Sequence, residues 1–292
     1  MIKFIYFFLN CLLKTPLYYL FSDKLFLKIR FQYLVGIKLN LNNPVTFNEK
    51  VQWLKIYDRK PIYTQMSDKY EVRKLIEHNI GKEYLIPLFG VYDSFNDIDF
   101  NKLPQEFIIK CTHDSGSIII CKDKNILNIN KIKNIINKKM RTNYYHHCKE
   151  WAYKNITPRI VIEKYLTDES GNEISDYKIF CFNGEPKLIE VDTNRFTAHN
   201  RDYFSVNWEH HILTEGGIPN APRNSIKKPT TLNNMLNIAR KLSASIPHVR
   251  IDFYTINNNI YFGEFTFYDS AGINYFNPPE WNFIIGSWLK LP

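Results

Sequence analysis

The segment Arg250–Phe267, RIDFYTINNNIYFGEFTF, constrains this chain more than any other. Two runs rich in Ile, Phe, Tyr and Thr flank a cluster of asparagines, the pattern of a β-hairpin. Side chains alternate along a strand. Arg250, Asp252 and Tyr254 therefore share one face of the first strand, and Phe262, Glu264 and Thr266 one face of the second. With Asn257–Asn259 as a three-residue loop, Ile256 pairs with Ile260. Asp252 then falls opposite Glu264, and Arg250 opposite Thr266. Directly opposed Cβ atoms are about 5 Å apart. Two carboxylates at that spacing repel each other, so a proton or a cation must offset the charge. Hard oxygen donors favour Mg²⁺, which commonly takes one or two carboxylates together with phosphate oxygens. The plainer alternative is a solvated polar face with Arg250 neutralising both acids. A slip of one residue in register changes which side chains share a face.

Two further segments place charge on strands. Phe107–Ser117 (FIIKCTHDSGS) reads as a strand ending near Lys110, then a loop carrying Asp114, Ser115, Gly116 and Ser117. A lysine beside a loop of small residues suits phosphate. Backbone N–H groups cradle the oxygens and the ammonium acts as a point charge. A single glycine does not separate this from an exposed hairpin turn. In Asp176-Tyr177-Lys178, the first and third side chains share a face. An unpaired buried charge is costly, so a strand lysine calls for an anion nearby. A structural ion pair and a ligand contact satisfy that demand equally.

The remaining pattern is α+β. Short strands are expected at Glu106–Cys111, Ser117–Cys121, Arg159–Lys164, Asp176–Phe182 and Pro186–Val191. The last two flank Asn183-Gly184, a two-residue turn signal because both positions accept positive φ. Helices are expected from Ser67, as N-cap, to about His78; over Asn125–Lys139, where Ile132, Ile135 and Ile136 recur at helical spacing; through Tyr144–Tyr153; and over Thr231–Ser245. Helices and mostly antiparallel strands alternate irregularly, which argues against a doubly wound sheet.

Composition narrows the partners. The 292 residues are 45% hydrophobic and 15% aromatic, which excludes disorder of the whole chain. A net charge of +9 fits an anionic partner, or simply a Lys/Asn/Ile-rich composition. No named nucleic-acid motif occurs, so no nucleic-acid partner is expected. Five cysteines without a C-x-x-C pair fit a reduced, cytoplasmic compartment. Residues 1–27 are apolar and aromatic, but Lys3, Asn10, Lys14, Pro16, Asp23 and Lys24 interrupt them. No run reaches the roughly 20 residues that span a bilayer. No small-residue cleavage site follows, so the segment does not read as a secretory leader. It reads as a helix packed on the domain or as a basic, aromatic segment on the inner face of the plasma membrane.

The charged segments, in this order, resemble the ATP-grasp superfamily. They are most similar to its branch associated with teichuronopeptide and capsular polysaccharide biosynthesis (TupA-like). The strings that carry the resemblance are NPVTFNEKVQWLK (Asn43–Lys55), SDKYEVRKLI (Ser67–Ile76), LPQEFIIKCTHDSGS (Leu103–Ser117), SDYKIFCFNGEPK (Ser175–Lys187), KPTTLNNMLNIARKLS (Lys228–Ser243) and RIDFY…IYFGEFTF. The resemblance implies two α+β lobes clasping a nucleotide, about 104–165 and 166–292. A helical N-terminal region (1–60) and a pre-ATP-grasp region (61–103) would precede them. Lys110 would meet the α/β phosphates, and Asp114–Ser117 would close over them. Glu163, Lys164, Tyr165 and Leu166 would meet adenine. Lys178 would be a second phosphate-side cation, Arg250 would face the reacting acyl phosphate, and Asp252 and Glu264 would ligate Mg²⁺ with Thr266. Many relatives have Asn at the Thr266 position, and a hydroxyl is a weaker ligand. Asp114 puts a negative charge beside the expected phosphates.

The implied activity is that of an ATP-dependent carboxylate–amine ligase working through an acyl phosphate. The implied substrates are an acidic glycan or sugar acid and an amino acid or amine. Arg195, His199 and Arg201, in NRFTAHNRDY, are candidates to hold the acceptor, although an exposed polar loop is the plainer reading. Three alternatives compete. A glycosyltransferase would use Asp97-Ile98-Asp99 to hold a metal and sugar diphosphate. A non-catalytic protein would bind the nucleotide without turnover. A zinc site would use His146-His147-Cys148 or His210-His211, but adjacent residues on an element point apart.

Overall fold

The computed structural model describes residues 11–12, 21–167, 174–195, 197–223 and 225–292. Most of the segment 1–27 lies outside them, and with it the expected membrane contact. Among the described residues no helix is long and apolar enough to cross a membrane.

Helix α1 (Asp23–Val35) starts at Ser22, whose hydroxyl accepts the Leu25 N–H, and stops at Gly36 with φ +85°. Its Phe26, Leu27, Ile29 and Phe31 pack with Leu39 and Leu41 in a small core. Helix α2 (Phe47–Tyr57) opens in a capping box between Thr46 and Glu49, which satisfies two orphan N–H groups reciprocally. Helices α3 (Pro61–Ser67) and α4 (Val72–Asn79) follow. The single helix expected from Ser67 is therefore broken. Ser67 ends α3, and the Asp68 carboxylate accepts the N–H groups of Tyr70 and Glu71 to start the next turn.

Strands β1 (Leu88–Tyr92), β2 (Phe107–Cys111), β3 (Ile118–Cys121) and β4 (Ile160–Lys164) form an antiparallel sheet in the order β1-β4-β2-β3. Helix α5 (Ile129–Met140), capped by Asn128, lays Ile132 and Ile136 on Phe107, Ile109 and Ile160. Alternation sends Ile108 and Lys110 to the opposite face. This sheet draws β1 from the stretch expected to precede the lobe. The helix expected through Tyr144–Tyr153 is also divided. Helix α6 (Tyr145–Cys148) stops where Lys149 takes φ +55°, and a 3₁₀ turn, Trp151–Tyr153, follows.

The second sheet contains β5 (Asp176–Phe182), β6 (Glu185–Thr193), β7 (Asn200–Ser205), β8 (His210–His211), β10 (His248–Ile256) and β11 (Asn259–Thr266), in the order β11-β10-β5-β6-β7-β8. A short pair, β9 (Thr214–Glu215) and β12 (Phe276–Asn277), stands apart. Helices α7 (Leu232–Leu242) and α8 (Trp281–Trp288) complete the order. The main core joins Phe47, Ile76, Met235 and Ile285 to the sheet residues Phe182, Ile189 and Ile251. Helices α2 to α4 therefore help to build the C-terminal lobe.

Both hairpin turns use asparagine at positive φ. Asn183-Gly184 lies at +51° and +85°, as expected. The second turn differs from expectation. It has two residues, Asn257 and Asn258, at +51° and +62°, and Ile256 pairs with Asn259 rather than Ile260.

Candidate functional site

That shorter turn shifts the register by one, and a bulge restores it. Phe253 pairs with Phe262 and Ile251 with Phe265, so Asp252 stands against both Gly263 and Glu264. Arg250 again faces Thr266. The Glu264 charge thus acts on the Asp252 carboxyl by a route the alternation alone does not disclose, while Phe262, expected on the Glu264 face, joins Phe253 in the core. Gly263 makes room for the bulge. A Cβ there would lie 3.0 Å from the Asp252 carbonyl oxygen and 3.3 Å from its Cβ. Burial pushes the Asp252 carboxyl up to about 7, with Asp176 and Glu264 adding to the effect and Arg250 and Lys178 opposing it. Arg250 grips both Asp252 oxygens at 2.8 Å and also meets Asp269 at 2.5 Å. A carboxylate offers about four lone-pair sites, so this fork leaves others for a cation.

The first lobe supplies one opposing cation. Lys110 reaches Glu163 at 2.9 Å, and Glu163 also pairs with Arg73 at 3.1 Å. In the loop, Gly116 takes φ +91° and is exposed beside Ser115. The Asp114 carboxylate turns inward, where the Ser117 hydroxyl donates to it and Lys139 lies 3.7 Å away. Ser117 also accepts the Cys111 N–H. The Asp114 charge is therefore occupied within the loop instead of facing a phosphate. Lys69, absent from the sequence reading, links the halves. Its ammonium donates to the Asp114 carbonyl and lies 3.9 Å from Glu264. The one sequence signal is its place in SDKYEVRKLI, directly after the Asp68 turn.

Lys178 is placed otherwise than a phosphate-side cation requires. It is buried, 2.7 Å from Asp176, 2.5 Å from Asp192 and 3.7 Å from Glu190. Burial works against its charge, but these acids outweigh it and raise its pKa. Arg195 lies in the exposed loop between β6 and β7 and His199 at its end, whereas Arg201 lies on β7, and all three side chains are tied to acids. Arg195 pairs with Asp176 at 2.8 Å, His199 with Asp192 at 2.9 Å, and Arg201 with Asp192 at 2.8 Å and Glu190 at 3.0 Å. Burial raises Glu190, whereas Arg201 and Lys178 overcome burial to hold Asp192 below the usual carboxylate range. Glu215, which accepts the Tyr203 hydroxyl at 2.5 Å, is pushed up to about 7 by burial and by Asp269. The buried acids Asp176, Glu190, Asp192, Glu215, Asp252 and Asp269 outnumber the cations Lys178, Arg195, Arg201 and Arg250 by six to four.

A narrow cleft of about 90 Å³ runs between the sheets. Ile108, Lys110, Ile118 and Ile120 form one wall, and Asp176, Arg195 and Tyr254 the other. Lys164, at the end of β4, and Tyr165 and Leu166, which follow it, also line the cleft. The Glu163 side chain is committed to Lys110 and Arg73, and the Lys164 N–H to the Pro87 carbonyl.

The competing motifs lie elsewhere. Asp97 and Asp99 are exposed in two 3₁₀ turns, where Asp99 accepts the Asn101 N–H. His210 pairs with Asp202 at 2.8 Å, while His211 packs on Trp281. Among the described residues no group of three or more His, Cys, Asp or Glu is arranged to hold a metal.

A family model described as TupA-like ATPgrasp matches residues 49–290. No curated protein matches the sequence. Similar solved structures include a D-alanine–D-alanine ligase from Bacillus anthracis complexed with ATP. It is 13% identical, with a TM-score of 0.39 over 75% of this chain and 55% of that one. The ligase of the same name from Helicobacter pylori is 12% identical, with a TM-score of 0.42 over 83% and 69%. The ATP-grasp ligase PsnB, complexed with minimal precursor, is 9% identical, with a TM-score of 0.41 over 75% and 58%. The chain spans a little over half the length of the Bacillus anthracis ligase.

Proposed function

Because this chain belongs to the TupA-like ATP-grasp family and has the ATP-grasp fold, we propose that it is an ATP-dependent carboxylate–amine ligase whose nucleotide lies in the cleft between the two sheets. The observation that carries this reading is the span of Lys69. One ammonium reaches both the Asp114 carbonyl of the first-lobe loop and Glu264 of the bulged hairpin. The loop, the acidic pair and Lys110 can thus act on one triphosphate.

The residues fit Mg²⁺. The donors Asp252, Glu264 and Thr266 are oxygens only, and the neighbourhood has more carboxylates than cations. When bound, the metal neutralises phosphate charge and polarises the transferred phosphoryl group. Lys110 would hold the α/β phosphates, and Ser115 and Gly116 would present N–H groups to them. Tyr165 and Leu166 would cover adenine. Arg250 would orient Asp252 through its two-pronged contact. Lys178 would keep the carboxylates behind the site compensated, which leaves Arg195 as the cation lining that wall.

The chemistry is positioning and charge stabilisation. A substrate carboxylate attacks the γ-phosphorus of ATP, the bond to the β-phosphate oxygen breaks, and ADP leaves. An amine then attacks the acyl carbon, loses a proton and expels phosphate, which gives an amide. The family points to a hexuronic acid of a cell-surface polysaccharide as the acid, and an amino acid or amine as its partner. ATP supply places the reaction on the cytoplasmic side, with segment 1–27 as the membrane contact. Recovery of the full-length protein wholly in the soluble cell fraction would remove that contact.

Phosphate release with Mg-ATP, a hexuronate and an amine tests the reading. Lys110→Ala and Glu264→Gln should each abolish release while circular dichroism and unfolding remain those of the parent. Undiminished release in both variants ends the assignment. UDP-sugars stabilising the protein while ATP does not would move it to the glycosyltransferases.

A further inference from the structure

Outside the nucleotide cleft, the described residues form a larger cavity of about 650 Å³ on the second lobe. Its lining combines an aromatic surface with exposed cations. Trp208 stacks on Phe204 at 4.2 Å and 7°, which fixes the indole plane. Trp208 is also held at φ +70°, a conformation uncommon for a bulky residue. Such strain persists only where the surroundings impose it, and it gathers at ligand sites. Here the turn is set by Ser205, whose hydroxyl accepts the N–H groups of Asn207 and Glu209 and whose carbonyl accepts that of Trp208.

Arg223 and Lys227 are exposed on the cavity rim, and among the described residues neither enters an ion pair. The one acid in the lining is Asp202. Its two oxygens are taken by His210 at 2.8 Å and by the Ala221 N–H at 2.9 Å. The cavity therefore presents net positive charge beside a fixed aromatic plane. Shared lining residues lead from it toward the proposed active site. Ala221, Pro222 and Ile226 line both this cavity and a second one that reaches Ile174, and Ile174 lines the nucleotide cleft.

We propose that this trough binds an extended acidic glycan, with sugar rings on Trp208 and carboxylates at Arg223 and Lys227. The proposal rests on the ligase reading above and names where the polymer-borne substrate lies. A pyranose has an apolar C–H face that covers an indole, while its carboxylate, standing off the ring, reaches a rim cation. An extended acidic peptide would offer the same charges to Arg223 and Lys227 but no ring face to lie on the indole of Trp208. A chain lying in the trough would lead one of its carboxylates toward Arg195 and the nucleotide cleft.

Calorimetric titration of the full-length protein with trigalacturonic acid tests the proposal. Binding should be saturable, should weaken as salt rises, and should be absent with neutral maltotriose. The double substitution Arg223→Glu, Lys227→Glu, both on the exposed rim, should lower affinity about tenfold or more. Trp208→Ala should lower it as well, and the rim pair keeps the test valid if loss of the indole disturbs folding. The stabilisation by Mg-ATP should be unchanged in the rim variant. No uptake of trigalacturonate by the parent, equal affinity in the rim variant, or preferential binding of triglutamate would each overturn the proposal. The ligase reading fails separately, through Mg-ATP stabilisation and the Lys110→Ala loss of phosphate release.

Discussion

The most consequential single residue outside the charged set is Gly263. It lets two residues of β11 stand against Asp252 while Tyr254 keeps its place, 3.2 Å from where a Cβ would stand. Gly263→Ala should cost about 1–3 kcal/mol, the usual penalty for forcing a methyl group into packed space. It should also weaken Mg²⁺ dependence by displacing Glu264. Denaturant unfolding with a Mg²⁺ titration measures both, and a variant identical to the parent would show that the bulge does not position the acid. Asp252 makes a second prediction, on pH. Its folded pKa of about 7 lies above the ordinary 3.8. The folded chain therefore holds a proton that the unfolded chain has lost across that interval. This stabilisation is complete below about pH 4 and is lost as pH rises through 7. Burial raises Glu150 and Glu215 to about 7 as well, so all three act in one direction. The unliganded melting temperature should fall from pH 5 to 8, while the increment from Mg-ATP should grow, because the cation replaces the Asp252 proton. A flat increment would contradict a protonated Asp252.

Among the elements, α2 acts at a distance from its own core. Gln52 donates to the carbonyls of Ala271 and Gly272 at 2.9 and 2.7 Å. Lys55, buried on the same face, reaches Ala271 at 2.8 Å and Cys148 at 3.0 Å. These bonds hold a turn in which Ser270, Ala271 and Gly272 all have positive φ. That turn carries Asp269, the second carboxylate on Arg250. A Cβ on Gly272 would come within 2.6 Å of Val51 and 2.7 Å of Gln52. Gly272→Ala should destabilise the protein by about 1–3 kcal/mol and lower turnover more than it raises the KM for ATP. Steady-state kinetics beside thermal unfolding measure this, and unchanged kinetics would separate the turn from the site.

For the whole molecule, two cores meet across a cleft lined by charged groups from both sheets. A ligand that bridges them and binds only the folded state stabilises by mass action. ATP at about 100 times its Kd should add roughly 2.7 kcal/mol, several degrees in melting temperature for a chain of this size. UDP should add nothing, and Lys69→Met should reduce the ATP increment because the link between loop and hairpin is cut. An undiminished increment would assign Lys69 to stability alone.

Local chemistry wrote much of this into the sequence. Strand alternation disclosed the shared face of Arg250 and Asp252 and the position of Lys110 on β2, but not the bulge that sets Glu264 against Asp252. The Asn183-Gly184 turn followed from its tolerance of positive φ. What the chain order could not disclose depended on partners distant in sequence. Lys178 read as a ligand cation, but Asp192 and Glu190, contributed by β6, enclose it. Arg201 read as a loop residue, but it pairs with acids on β6. Lys69 gained its place only when α4 brought the Asp68 turn beside the loop after β2. Periodicity reports which way a side chain points. Only the folded chain sets which charges share a low-dielectric interior, and that decides whether a lysine meets a ligand or its own carboxylates.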